Sequence, residues 1–129
     1  MDCLVLKSAN TSATLTFCER DGDYFTAVYD SPAVKVSKRV WGYTDCELLV
    51  DLFKFIAIEW KGWEGTKEWH SIESEFGVLA SSDVSGHVML ELNFREVEGP
   101  ELWNSQVTIG FEAAQTEQIA NKVRRFFEN

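Results

Sequence analysis

Proline is nearly missing from this chain, which holds two prolines and eight glycines in 129 residues. A proline-rich linker, a collagen-like repeat and a disordered tract are therefore excluded. Basic side chains are scarce, with 12 Lys and Arg against 21 Asp and Glu and a formal net charge of −9. Such a surface repels a phosphate backbone, so no nucleic acid is expected as a direct partner, and a basic protein is the partner that charge would steer in. The three cysteines, Cys3, Cys18 and Cys46, form no C-x-x-C pair and no Cys/His cluster. Neither a disulfide framework nor a zinc site is indicated, and reduced thiols are expected. No run reaches the ~20 apolar residues that span a bilayer, and no basic segment leads into an apolar run at the N-terminus. No membrane association and a cytoplasmic location are the corresponding expectations. A nucleophile elbow, a phosphate-cradling glycine loop, a paired-histidine metalloprotease helix and a dinucleotide fingerprint are also lacking. No catalytic residue and no cofactor are assigned.

What is there is a globular balance of 45% hydrophobic and 26% charged residues, in a length that suits one domain over residues 1–129. The first third alternates with the period of strands: Leu4 with Leu6, then Ala13, Leu15 and Phe17, then Phe25, Ala27 and Tyr29. Asp21, Gly22 and Asp23 form a tight hairpin, and Pro32 breaks the third run. Val34, Val36 and Val40 resume it, with Lys35, Lys38 and Arg39 toward solvent. Thr44 and Glu47 fit a capping box, opening a helix whose apolar stripe runs through Leu48, Leu49, Leu52, Phe53, Ile56 and Ala57 to a stop at Gly62. Runs from Glu68 to Glu73, Phe76 to Ser81, Gly86 to Arg95 and Leu102 to Phe111 predict four more strands. A last helix buries Ile119, Ala120, Val123, Phe126 and Phe127. The order ββββα-ββββα predicts an α+β fold, an antiparallel sheet of seven or eight strands with two helices on one face.

Five tryptophans, nine phenylalanines and three tyrosines are more flat side chains than a core of this size needs, so some are expected at a binding surface. They are densest between Trp60 and Glu73, where Trp60, Trp63 and Trp69 surround Gly62 and Gly65 and lead into His70 and Glu73. Indoles beside a glycine loop can line a pocket or anchor an interface, and a Trp closing a core-facing helix can equally plug the core. With His87 on a nearby strand, these six residues are the candidate ligand or partner site. Ser71 adjoins His70, but strand neighbours point to opposite faces and do not meet as nucleophile and base. His70, Glu73, Asp83 and His87 could ligate a metal in type, yet their spacing is not diagnostic and no metal is assigned. Cys46 lies near a helix start, where the dipole would activate a thiol, and burial of a small side chain is the reading preferred there.

The pattern Trp60-Lys61-Gly62-Trp63-Glu64-Gly65, then Trp69, Ser71 and Glu73, then Asp83, Gly86, His87, Val88 and Leu90, then Trp103 and a helix ending in Phe126 and Phe127, resembles a bacterial family known only as a domain of unknown function. The resemblance spans about residues 40 to 129 and implies no activity, cofactor or site residue. Acidity, size and missing chemistry favour a noncatalytic protein-interaction module, of which the immunity proteins of bacterial toxin systems are one form. The alternatives are a small-ligand module using the Trp-rich loop and an enzyme using a histidine with carboxylates. Oligomeric state is left open.

Overall fold

The computed structural model describes residues 3–128. Four strands, β1 (Leu4–Lys7), β2 (Thr14–Asp21), β3 (Tyr24–Asp30) and β4 (Lys35–Trp41), precede helix α1 (Cys46–Ile58). The order repeats as β5 (Lys67–His70), β6 (Phe76–Ser82), β7 (Val88–Glu96), β8 (Trp103–Phe111) and helix α2 (Thr116–Phe127), which a short 3-10 turn over Ala113–Gln115 introduces. Among the described residues no helix is long and apolar enough to cross a membrane.

The α+β class and the ββββα-ββββα order are as the periodicity predicts, but the single sheet of seven or eight strands is corrected. There are two four-stranded antiparallel sheets, β1-β2-β3-β4 and β5-β6-β7-β8. A continuous ladder would need β4 to offer its free edge to a strand of the second half. That edge is engaged otherwise: the Trp41 N–H donates to a carboxyl oxygen of Glu75 at 3.1 Å. On the other flank, the Ala9 N–H donates to the Gly110 carbonyl at 2.8 Å, and the Tyr29 hydroxyl donates to the Thr108 carbonyl at 3.1 Å. Isolated bonds of this kind replace a ladder.

Alternation along each strand turns one face of each sheet inward, and the inward faces share one core with the helices. Leu4, Leu15, Phe17, Phe25 and Val40 from the first sheet and Phe76, Val78, Leu90, Leu92 and Phe94 from the second belong to the same buried cluster as Leu49, Phe53, Ile119 and Val123. The rings of Phe17 and Phe76 stand edge to face 5.9 Å apart across the sheets. Helices α1 and α2 pack on each other, α1 reaching β5 and α2 reaching β1.

Two local expectations change. Thr44 is not the cap of α1: the helix starts one residue after Asp45, whose backbone is already helical and whose side chain makes no capping bond. Lys38 does not face open solvent but pairs with Glu96 at 2.8 Å, joining β4 to β7. That bond holds the Glu96 carboxyl below its ordinary range.

Candidate functional site

The six residues singled out by sequence divide between core and surface. Trp69 is buried, and its indole N–H donates to the Asp45 carbonyl at 3.0 Å. Trp63 packs edge-on against Phe55 with ring centroids 5.4 Å apart. Trp60 is 51% exposed, with the Lys61 ammonium 5.3 Å from its ring centre. His70 and Glu73 are exposed, and the His70 ring nitrogen Nδ1 lies 3.0 Å from the Ser71 carbonyl. The three indoles thus differ in burial, Trp69 inside, Trp63 half-buried and Trp60 exposed. Ser71 is fully buried and bonds to Glu75 and to the Phe76 backbone, which takes it away from the His70 imidazole.

His87 is brought to the Trp60 loop by its turn. Gly86 has φ +83°, and a side chain there would stand 3.0 Å from the Trp60 carbonyl oxygen, so only glycine lets the two segments approach this closely. The Asp83 carboxylate shapes the turn by accepting the backbone N–H groups of Ser85 at 2.8 Å and His87 at 3.0 Å. Its second oxygen lies 3.0 Å from His87 Nδ1, and Glu112 holds Nε2 at 2.9 Å. The ring is thus clamped between two carboxylates beside an open cleft of about 480 Å³ that Asn10, Ser82 and Met89 help to line.

That clamp decides what His87 can do. The bond to Asp83 and the charge of Glu112 raise its pKa, while the N–H groups of the turn lower that of Asp83. The protonated imidazole, with both nitrogens donating to carboxylates, is the form this arrangement favours. Because the folded pKa is raised, the stabilising contribution is complete below the unfolded value of about 6.5 and is lost as pH rises through the folded value. A proton NMR titration of His87 is expected to give a midpoint above 6.5, and Asp83→Asn is expected to move it down. Among the described residues, no three His, Cys, Asp or Glu side chains converge as a metal ion would require.

The end of the first sheet carries a group that the sequence reading passed over. The Asp21-Gly22-Asp23 hairpin sets Tyr24 directly across from Trp41, and their rings stack with centroids 6.4 Å apart. Gly42 follows, donates its N–H to the Asp23 carbonyl at 2.8 Å and has Cys46 Sγ only 2.3 Å from where a side chain would begin. Tyr43 then turns outward, 5.3 Å from Trp41. Tyr24 is 46% exposed and Tyr43 47%.

Tyr43 adopts φ +50°, the left-handed region, which costs a residue with a bulky side chain about 1–2 kcal/mol. Strain of this kind persists where surrounding structure imposes it and clusters at functional sites. Here the imposing contacts are identifiable: Trp69 pins the Asp45 carbonyl and Glu75 pins the Trp41 N–H, on either side of Tyr43. Asp21, Asp23, Asp45 and Glu47 adjoin the three rings in the chain, and the Arg39 guanidinium lies 5.8 Å from the Tyr24 ring centre. Cys46 beneath them is no activated thiol, since burial above all pushes it up to about 11. The W-G-Y spacing at 41–43, opposite a tyrosine after a D-G-D turn, is the signal by which sequence could have found this cluster.

The chain belongs to a family of unknown function (DUF6228), whose profile matches residues 6–129. The match reaches back beyond residue 40, where the resemblance began, over most of the first sheet, and so takes in Tyr24 as well as Trp41 and Tyr43. No curated protein matches the chain.

Proposed function

We propose that this member of a family of unknown function is a noncatalytic, cytoplasmic interaction module that binds a basic protein through Tyr24, Trp41 and Tyr43. The observation that carries the reading is an aromatic cluster with both tyrosines exposed, held by a strained backbone and flanked in the chain by Asp21, Asp23, Asp45 and Glu47. Tyr and Trp are the residue types that most often anchor protein interfaces, and aromatic faces attract Arg and Lys. The net charge of −9 adds steering toward a basic surface, of which the active-site cleft of a nuclease is one kind.

Strain at Tyr43 separates this role from a structural one. Glycine relieves a positive φ, so Tyr43→Gly is expected to leave the fold no less stable while removing a binding ring. The immobilised wild-type protein and the Tyr24→Ala/Tyr43→Gly variant are compared in lysate of the source organism at low salt. The wild type is expected to retain a basic protein that elutes as salt rises, and the folded variant to retain roughly tenfold less or lower. Equal retention by both would refute this surface.

A further inference from the structure

The first two strands bring two of the three cysteines together. Leu4 faces Phe17 and Leu6 faces Leu15 in antiparallel register, and one further step sets Cys3 opposite Cys18. The phase of the ladder decides how near they come. The Ser8 N–H donates to the Ala13 carbonyl at 2.9 Å, which marks 8 with 13, and in alternation 6 with 15 and 4 with 17, as the hydrogen-bonded pairs. Cys3 with Cys18 therefore falls on the other kind of position, where facing Cα atoms are about 4.5 Å apart and side chains closest. That separation lies within the range disulfides span.

The two thiols differ in setting. Cys3 is exposed and Cys18 half-buried. Burial first, and then the Cys3 thiol beside it, raise the pKa of Cys18 above the usual range. Cys3 lines a shallow surface pocket with Lys122 and Arg125 of α2. Accessibility makes Cys3 the attacking group and the half-buried Cys18 the resolving one. Cys46 sits apart from both strands, against Gly42 after β4 and the Asp23 carbonyl.

We propose that Cys3 and Cys18 are a redox modification site, closing to an intramolecular disulfide with hydrogen peroxide and reopening with a dithiol. Cys3 sulfur attacks one peroxide oxygen, the O–O bond breaks, and a sulfenic acid and one water result. Cys18 sulfur then displaces the sulfenic oxygen, which leaves as a second water, as the S–S bond forms. The sum is two thiols and one peroxide giving one disulfide and two waters, with the thiols oxidised and the peroxide reduced. The bond would tie the edge strand β1 to β2 across the 3–18 loop, independently of the aromatic cluster.

The test uses the full chain, treated with equimolar hydrogen peroxide and then alkylated and mapped by mass spectrometry. The expected product is a monomer with Cys3 linked to Cys18 and Cys46 alkylated, and with a Tm about 5–10 °C higher that dithiothreitol reverses. A Cys18→Ser chain is expected to accumulate a dimedone-reactive sulfenic acid at Cys3 instead. Over-oxidation of Cys3 without a link in the wild type, a link to Cys46, or a link between chains would overturn the assignment.

Discussion

Phe76→Ala is expected to remove about 3–5 kcal/mol of unfolding free energy, the cost of truncating a buried ring and leaving a cavity. Phe76 is fully buried at the start of β6. Its ring lies 5.0 Å from Phe94, 5.9 Å from Phe17, 6.1 Å from Trp69 and 6.4 Å from Phe25. Two of those rings belong to each sheet, so the side chain joins halves that share no ladder. In urea the midpoint should fall by roughly 2 M, and circular dichroism and tryptophan fluorescence should report one transition, because both halves lose the same contact. A loss under about 1 kcal/mol, or two separated transitions, would mean that the sheets do not meet on this ring.

Glu75→Ala is expected to cost about 2–4 kcal/mol for a different reason. The carboxyl group is buried, accepts the Trp41 N–H at 3.1 Å and bonds to the Ser71 hydroxyl, while its backbone carbonyl accepts the Arg95 N–H at 2.9 Å. Truncation leaves the Trp41 N–H without its acceptor in a place where water is a poor substitute. Glu75→Gln keeps an acceptor oxygen and is expected to lose less than half as much. Thermal unfolding of the two variants distinguishes lost hydrogen bonding from lost volume, and equal losses would assign the effect to shape. Because Glu75 also fixes the backbone next to Tyr43, the alanine variant should broaden the NMR signals of Tyr24 and Tyr43.

Most of the architecture could be read from periodicity, since Val88, Leu90, Leu92 and Phe94 alternate without interruption and all lie inside. Their partners His87 and Met89 stay exposed, as an antiparallel sheet with one wet face requires. How many sheets the strands make was not legible, because alternation gives the buried face of a strand and not its neighbour. That choice rests on side-chain bonds between residues far apart in the chain, such as Glu75 to Trp41 and Lys38 to Glu96.

Aromatic density, in turn, marked Trp60 to Trp69, where local crowding reflects how Trp63 and Trp69 pack and where only Trp60 stays open. The Tyr24, Trp41 and Tyr43 cluster was missed because its members come together through strand register, 17 positions separating Tyr24 from Trp41. Tyr43 owes its prominence to a backbone angle that no residue-type pattern announces.

Amide chemical-shift mapping shows whether a basic surface docks on this cluster. The isotope-labelled protein is titrated at low salt with an arginine-rich peptide and again with the captured partner. The partner's largest shifts are expected on Asp21 to Tyr24 and Trp41 to Glu47, and are expected to vanish in the Tyr24→Ala/Tyr43→Gly variant. Shifts centred instead on the Trp60 loop or the His87 cleft, and unchanged in the variant, would contradict it.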